Sequence, residues 1–233
     1  MASNSLGRIF RITTAGESHG PGMGVIIDGC PAGIAMDLDF IQQQLDRRRP
    51  GQSSITTQRK EADKITIQSG VYQGLTTGAP ILMLIPNEDS RPTDYDQMEN
   101  AFRPSHADYT YHHKYGTRDH RGGGRSSARE TANWVAAGAI AKLILKEAGI
   151  QIRAAVTGVG QIGIEIPLEA FDWDFAENNP VRCPDPSTSI AMQTLIEESR
   201  DAGDTVGGII TCLIDGCPPG LGEPVFHKLH ADL

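Results

Sequence analysis

The chain has 233 residues, enough to bury a full core as one large domain or two small ones, and a formal net charge of -8. That acidic balance argues against general binding to nucleic acid or anionic membranes, while leaving room for a local basic patch. No apolar run can span a bilayer, the N-terminus MASNSLGRIF has no apolar signal region, and Cys30, Cys183, Cys212 and Cys217 form no CxxC pair. These features predict a cytoplasmic protein with reduced thiols.

In chain order, Arg8–Thr14 and Met23–Gly29 read as two short strands around the turn-rich segment GESHGPG. Asp37 is placed to cap a helix with Leu38, Ile41 and Leu45 on one face, ended by Pro50. Ile65, Ile67 and Val71 alternate as one half-buried strand would, and Ala79–Ile85 is a more continuous apolar strand. From Pro86 to about Arg125 the chain reads as irregular, and so long a connection is usually functional or disordered.

The clearest helical spacing comes next. Ala132, Val135, Ala136, Ala139, Ile140, Leu143 and Ile144 recur at helical intervals, and Gly149 is placed to end the helix. The alanines together with Gly138 predict close packing between layers. Strands follow near Ile152–Thr157 and Ile162–Ile166, then a loop rich in Pro, Asp and Ser as far as Ser189. A helix with Met192, Leu195, Ile196 and Ser199 on one face and a strand over Val206–Asp215 complete the series.

Ile26–Ile34 (IIDGCPAGI) and Leu213–Leu221 (LIDGCPPGL) repeat one pattern, a strand running into a Gly-Cys-Pro turn. The first copy leads to the helix beginning at Asp37. In the second, Pro224 suits a first helical position, and Val225, Leu229 and Leu233 begin an apolar stripe. Chance similarity of two short segments is one reading. The other, taken here as the expectation, is a strand–turn–helix duplication whose second copy is cut, within a single domain over 1–233 that is truncated at its C-terminal end.

Residues 103–131, RPSHADYTYHHKYGTRDHRGGGRSSARET, concentrate five arginines, one lysine and four of the seven histidines. Arginine forks match carboxylate and phosphate, and histidine exchanges protons near neutral pH. A helix start adds unpaired N–H groups and a positive dipole end. Gly122, Gly123 and Gly124 would let the backbone approach a ligand closely, and Ser127-Ala-Arg-Glu130 reads as a capping box. A solvated basic loop is the plain alternative; the glycines and the cap favour a site for a phosphorylated, multiply anionic ligand.

Other motifs are weaker. His19 in GESHG would pass for a turn residue by itself, and the arginines of Asp46-Arg-Arg-Arg-Pro50 complement a helix end as readily as they bind an anion. Gly158-Val-Gly-Gln-Ile-Gly163 has dinucleotide-fingerprint spacing, but a strand pattern containing Pro167 follows it where a helix should begin. His106, His112, His113 and His120 with Asp108 and Asp119 lack metal-ligand spacing and lie among arginines that repel a cation, so no metal is expected.

GESHG at 16–20, DRRRPGQS at 46–53, TTQRKE at 56–61 and TTGAPI at 76–81 resemble the chorismate synthase family. So do RPSHADYTYHHKYG at 103–116, RDHRGGGRSSARET at 118–131, GDTVGG at 203–208 and the IDGCPPGLGEP strand, which together cover essentially the whole chain. The resemblance implies an α+β fold, a β-α-β sandwich with helices between two antiparallel sheets, assembled as a homotetramer when full length. It implies an anti-1,4 elimination of phosphate from 5-enolpyruvylshikimate 3-phosphate, giving chorismate. Reduced FMN (FMNH2) is the implied cofactor, with NADPH to reduce the flavin.

By the same resemblance, His19 acts on the reduced flavin and His106 assists the departing phosphate. Arg125, Ser126 and Ser127 match positions that hold FMN, and Arg48 matches a position for NADP. Arg48, Arg103 and Arg129 are the candidates for the substrate's anions. Ser54 and Trp134 stand where the family often has arginine, and the family's later Lys-Pro-Thr-Ser-Ser and Arg-Ser-Asp segments do not occur in these 233 residues. Outside the resemblance, the basic segment also admits a different phosphate-handling lyase or transferase, or a phosphate-anion- or nucleotide-binding module without lyase activity.

Overall fold

A computed structural model describes residues 4–52, 55, 61–89, 95 and 97–232. The chain divides into two compact units, Met1–Ile144 and Leu145–Leu233. The architecture is α+β, with an antiparallel sheet in each unit.

In the first unit, β1 (Ser5–Leu6), β2 (Arg11–Gly16), β3 (Gly22–Asp28), β4 (Thr66–Ile67) and β7 (Ile81–Pro86) form one sheet in the order β1-β2-β3-β7-β4. Side chains alternate between its faces. Met23, Val25 and Ile27 of β3 and Ile81, Met83 and Ile85 of β7 are buried, while Ile26 and Leu84 on the other face are exposed. The register pairs Val25 with Met83 and so keeps the six buried residues together. Two helices complete this core, α1 (Leu38–Arg48) through Ile41 and Leu45, and α3 (Thr131–Glu147) through Ala132, Ala136, Ala139 and Ile140. The Asp37 carboxylate caps α1 by accepting from the Phe40 N–H at 2.9 Å.

Three expectations need correction here. Ile65, Ile67 and Val71 do not share a strand. The chain bends at Gly70 (φ +81°), where a Cβ would meet Ile81 and the Pro80 carbonyl, and then enters a separate hairpin of β5 (Val71–Tyr72) and β6 (Leu75–Thr76). The turn between them has positive φ at both Gln73 and Gly74, the conformation a two-residue hairpin favours. The stretch from Pro86 to Arg125 is not wholly irregular, because it contains α2 (Asp108–Tyr115), whose sequence DYTYHHKY has no apolar stripe to announce it. Finally, Gly138 is exposed with no described residue within 4 Å of a Cβ built there, so among the described residues α3 is brought close by its alanine face and not by Gly138.

In the second unit, β8 (Gln151–Val159), β9 (Ile162–Gly163) and β10 (Gly208–Asp215) form an antiparallel sheet in the order β10-β8-β9. Gly158 pairs with Gly163 across a tight β8–β9 turn, so the fingerprint-like glycines belong to a hairpin. The segment expected to be a loop up to Ser189 carries α4 (Trp173–Asn178), and α5 (Pro186–Asp201) already begins inside it. The residues that suggested a loop are helix-start signals: Asp185 accepts from the Thr188 N–H at 2.9 Å, and Pro186 takes the first helical position. Buried Asn179 ties this region together, donating to the Phe175 and Cys183 carbonyls and accepting from the Val181 and Cys183 N–H groups.

The repeat has a backbone cause. Gly29 (φ +80°) and Gly216 (φ +73°) each lie so close to another carbonyl, of Ile9 and Gly149 respectively, that a Cβ would come within 1.8 and 2.2 Å. Only glycine fits either place. The helix expected from Pro224 does not form there: Pro224–His227 are bends, and α6 spans only Leu229–Asp232. Leu233 lies outside the described residues. No described helix is long and apolar enough to cross a membrane.

Candidate functional site

The turn between β2 and β3 holds Glu17, Ser18 and His19. Asn87, just after β7, fixes this turn by donating from Nδ2 to the carbonyls of Glu17 (2.9 Å), Ser18 (3.2 Å) and Gly20 (2.9 Å). The glycine-rich loop is laid directly on it. A Cβ at Gly122 would come within 2.1 Å of His19 Cδ2, and one at Gly124 within 2.7 Å of Glu17 Oε2. Both glycines have positive φ, +63° and +52°. The close approach expected toward a ligand is therefore made to two side chains of the neighbouring turn. Gly123 alone leaves clearance, with Ser126 Oγ at 3.6 Å and Arg103 Nη2 at 3.7 Å from its built Cβ.

Two 3-10 turns, Gly124–Ser126 and Ala128–Glu130, precede α3. Ser127 caps the second, its Oγ accepting from the Arg129 N–H at 3.3 Å while donating to Ser18 Oγ at 3.1 Å. The capping box is only half made. Glu130 does not reach back to Ser127; it takes a two-pronged ion pair from Arg125 (2.6 and 2.9 Å) and further bonds from Asn133 and Trp134. Arg125 also donates to the Gly16 carbonyl and to Thr14 Oγ1, tying the loop to β2. Its guanidinium is thus engaged within the fold, and the Ser126 hydroxyl lies 2.7 Å from the Gly123 carbonyl of the same loop. Trp134, 56% exposed, donates from Nε1 to Glu130 at 3.3 Å.

Ser126 Oγ donates to the His106 carbonyl at 3.3 Å, which joins the His106 turn to the glycine loop. The His106 ring is exposed, with Nδ1 2.8 Å from the Pro104 carbonyl. Arg103 is held by Asp108, the first residue of α2, through Nε at 3.0 Å and Nη2 at 3.3 Å, and its side chain stays 16% exposed. Burial works against charge on Asp108, but the hydrogen bonds from Arg103 outweigh it and hold the carboxyl below its usual range.

Arg129 is the most enclosed of the three candidate anion-binding arginines. Its side chain is 2% exposed, ion-paired with Asp63 and with Glu61 at 3.7 Å, and donates from Nε to Asn87 at 2.9 Å. With 2% of the side chain exposed, the described partners of its guanidinium are carboxylates, an amide oxygen and the Pro86 carbonyl. Arg48 shares the same carboxylate, donating to Asp63 from Nε and Nη2 at 3.1 and 2.8 Å and to Thr131 at 3.2 Å. Asp63 and Glu61 were not legible as part of the site, since nothing in their local sequence signals two buried carboxylates. Ser53, Ser54 and residues 56–60 of the matched motifs lie outside the described residues.

A cavity of about 670 Å³ opens between α2 and the glycine loop, lined among others by Glu17, Tyr111, Arg118, Asp119, His120 and Ser126. Glu17 is a third residue without a local signal, although it stands two positions before His19. Its Oε2 is buried and has no hydrogen-bond partner among the described residues. Burial, and then the nearby Asp119 charge, push the Glu17 carboxyl above its usual range against the pull of Arg125 and Arg121. Asp119 moves the other way, chiefly through the hydrogen bond from Arg121. Cationic side chains, two serine hydroxyls, an exposed imidazole and a loop with one open glycine make a donor set suited to phosphate and carboxylate.

Comparison with known proteins finds clear relatives of the chain. A family model described as chorismate synthase matches residues 10–233. The chain is 57% identical over 230 residues to a chorismate synthase from Bacteroides fragilis (strain YCH46) and 58% identical over 230 residues to one from Parabacteroides distasonis. These alignments cover 99% of the chain and 64% of each relative's length. The solved structure titled "Crystal Structure of Chorismate Synthase" superposes with a TM-score of 0.72 at 32% identity, covering 93% of this chain and 60% of that one.

Proposed function

The chain belongs to the chorismate synthase family, and we propose that it carries the phosphate-eliminating centre of such an enzyme. The substrate in this reading is 5-enolpyruvylshikimate 3-phosphate, and an anti-1,4 elimination of its phosphate gives chorismate. One observation carries the proposal: the loop Gly122–Ser127 is seated on the Glu17–His19 turn and bonded to the His106 turn, which gathers the two histidines' segments and the serines into one site.

Such a substrate bears two carboxylates and a phosphate, which calls for several cations in one place. Arg103 and Arg48 retain partly exposed guanidiniums whose geometry is set by Asp108 and Asp63. Pairing with a carboxylate pre-orients an arginine fork and lowers the entropy lost when an anion docks. His106, exposed beside Ser126, is assigned the proton delivered to the departing phosphate. His19 is assigned the proton exchange with the flavin. Ser126, Ser127 and the Arg125 backbone are assigned to FMN, and Arg48 to NADPH. The donor set fits the phosphate end of FMN, and reduced FMN when bound would supply electron density to an elimination that has no net redox change. Family membership also motivates a cytoplasmic homotetramer as the full-length form, with neither nucleic acid nor membrane as a partner.

The test is chorismate formation by the full-length protein supplied with reduced FMN and 5-enolpyruvylshikimate 3-phosphate. His106→Ala is expected to lower turnover by roughly 10²–10⁴, the usual scale for a general acid. Phosphate or nucleotide binding without any chorismate formed would overturn the lyase reading in favour of a binding module.

A further inference from the structure

The His19 ring has a described neighbour on each of two sides. The Gly122 backbone lies so close that a Cβ built there would be 2.1 and 2.5 Å from Cδ2 and Nε2. The Tyr95 ring packs against the imidazole with centroids 4.8 Å apart and planes inclined by 58°. Tyr95 is itself backed by the Arg103 guanidinium, 5.6 Å from the ring centroid. Arg103 in turn is fixed by Asp108, which is 3% exposed and sits at the start of α2.

We propose that Tyr95 is a positioning residue for His19, clamping the imidazole against the Gly122 backbone and tying its orientation to the Arg103–Asp108 pair. The inference deepens the proposed function and rests on the role given there to His19. A tyrosine ring suits this task because it accepts both a tilted aromatic partner and a guanidinium as neighbours. It has few torsions to hold, so the clamp loses little entropy on ordering. Glycine is required at 122 because any side chain would occupy the imidazole's own volume, and because the backbone there is left-handed. Proton transfer depends steeply on the placement of the donor, and a misplacement near 1 Å can lower a rate by about 10²-fold.

The experiment compares Tyr95→Leu and Tyr95→Phe in the full-length protein, labelled with 13C at the histidine rings. His19→Gln identifies the His19 signal. Tyr95→Leu is expected to shift or broaden that signal and to lower kcat by roughly 10- to 100-fold with little change in KM. Tyr95→Phe keeps the ring and is expected to restore both the signal and the rate. A structural role alone would lower thermal stability without separating kcat from KM. An unmoved His19 signal in Tyr95→Leu, or an unchanged kcat, overturns the clamp. Should the unsubstituted protein make no chorismate, the function reading falls while the His19 signal still decides the clamp.

Discussion

Arg129, Asp63 and Glu61 place three charges together with their side chains almost wholly out of water. Such a cluster adds little net stability while intact, but removing Arg129 takes a buried cation away from two buried carboxylates, of which Asp63 keeps its pair with Arg48. Arg129→Gln should therefore destabilise the protein by about 3–5 kcal/mol, the scale for breaking a buried ion pair. Chemical denaturation measures this directly. A variant of undiminished stability but weakened anion binding would return Arg129 to the ligand. Glu17 gives the pH counterpart. Its carboxyl is raised in the folded chain by burial first and Asp119 second, so the folded state holds this proton more firmly than the unfolded one. That contribution is full below the unfolded value near 4.5 and is lost as pH rises through the folded value. Glu17→Gln should flatten the stability profile on that side. Asp108 and Asp119, both lowered, contribute in the opposite sense, above 3.8, and lose it as pH falls. Equal profiles for Glu17→Gln and the unsubstituted protein would contradict the assignment.

Helix α3 shows what a sequence declares and what it hides. Its alanine face was legible because small apolar residues recurring at helical spacing mark a closely packed helix and little else, and Ala132, Ala136 and Ala139 are fully buried as that spacing requires. Gly138 misled, since a glycine at an open position looks the same in sequence as one at a tight contact. With no described residue within 4 Å of its built Cβ and no positive φ, Gly138→Ala should raise stability by about 0.5–1 kcal/mol. A loss of stability or of assembly would mean that this face is covered. Elements without an apolar period were the ones missed. Polar, aromatic α2 is held by its ends and by Asp108, and α5 opens on Asp185 and Pro186, residue types shared by loops and helix starts. The site divides along the same line. His19, His106 and the glycine loop carry signals in their own neighbourhoods. The Asp63 carboxylate, which joins Arg48 to Arg129, does so through contacts between distant segments that no local pattern encodes.

At the scale of the chain, acidic composition and a concentrated basic segment coexist because the arginines near the site are largely matched by carboxylates from within. The apolar surface is less balanced. In the second unit, β10 stands last in the sheet order among the described strands, and Ile210, Cys212 and Ile214 point to one face with Val156, Ala154 and Ile152 of β8 paired beside them. Ile210 is 71% exposed, and the segment after β10 adds Leu221, Val225 and Phe226, all more than half exposed. An apolar face beside an unpaired strand edge is a template for association. Polypeptide 1–233 expressed by itself should therefore self-associate as its concentration rises, as light scattering would detect. Ile210→Lys places a charge on that face and should reduce the association without lowering the melting temperature by more than a few degrees. If 1–233 stays monomeric at every concentration, or if Ile210→Lys associates as readily as the unsubstituted chain, the β10 face is not the contact.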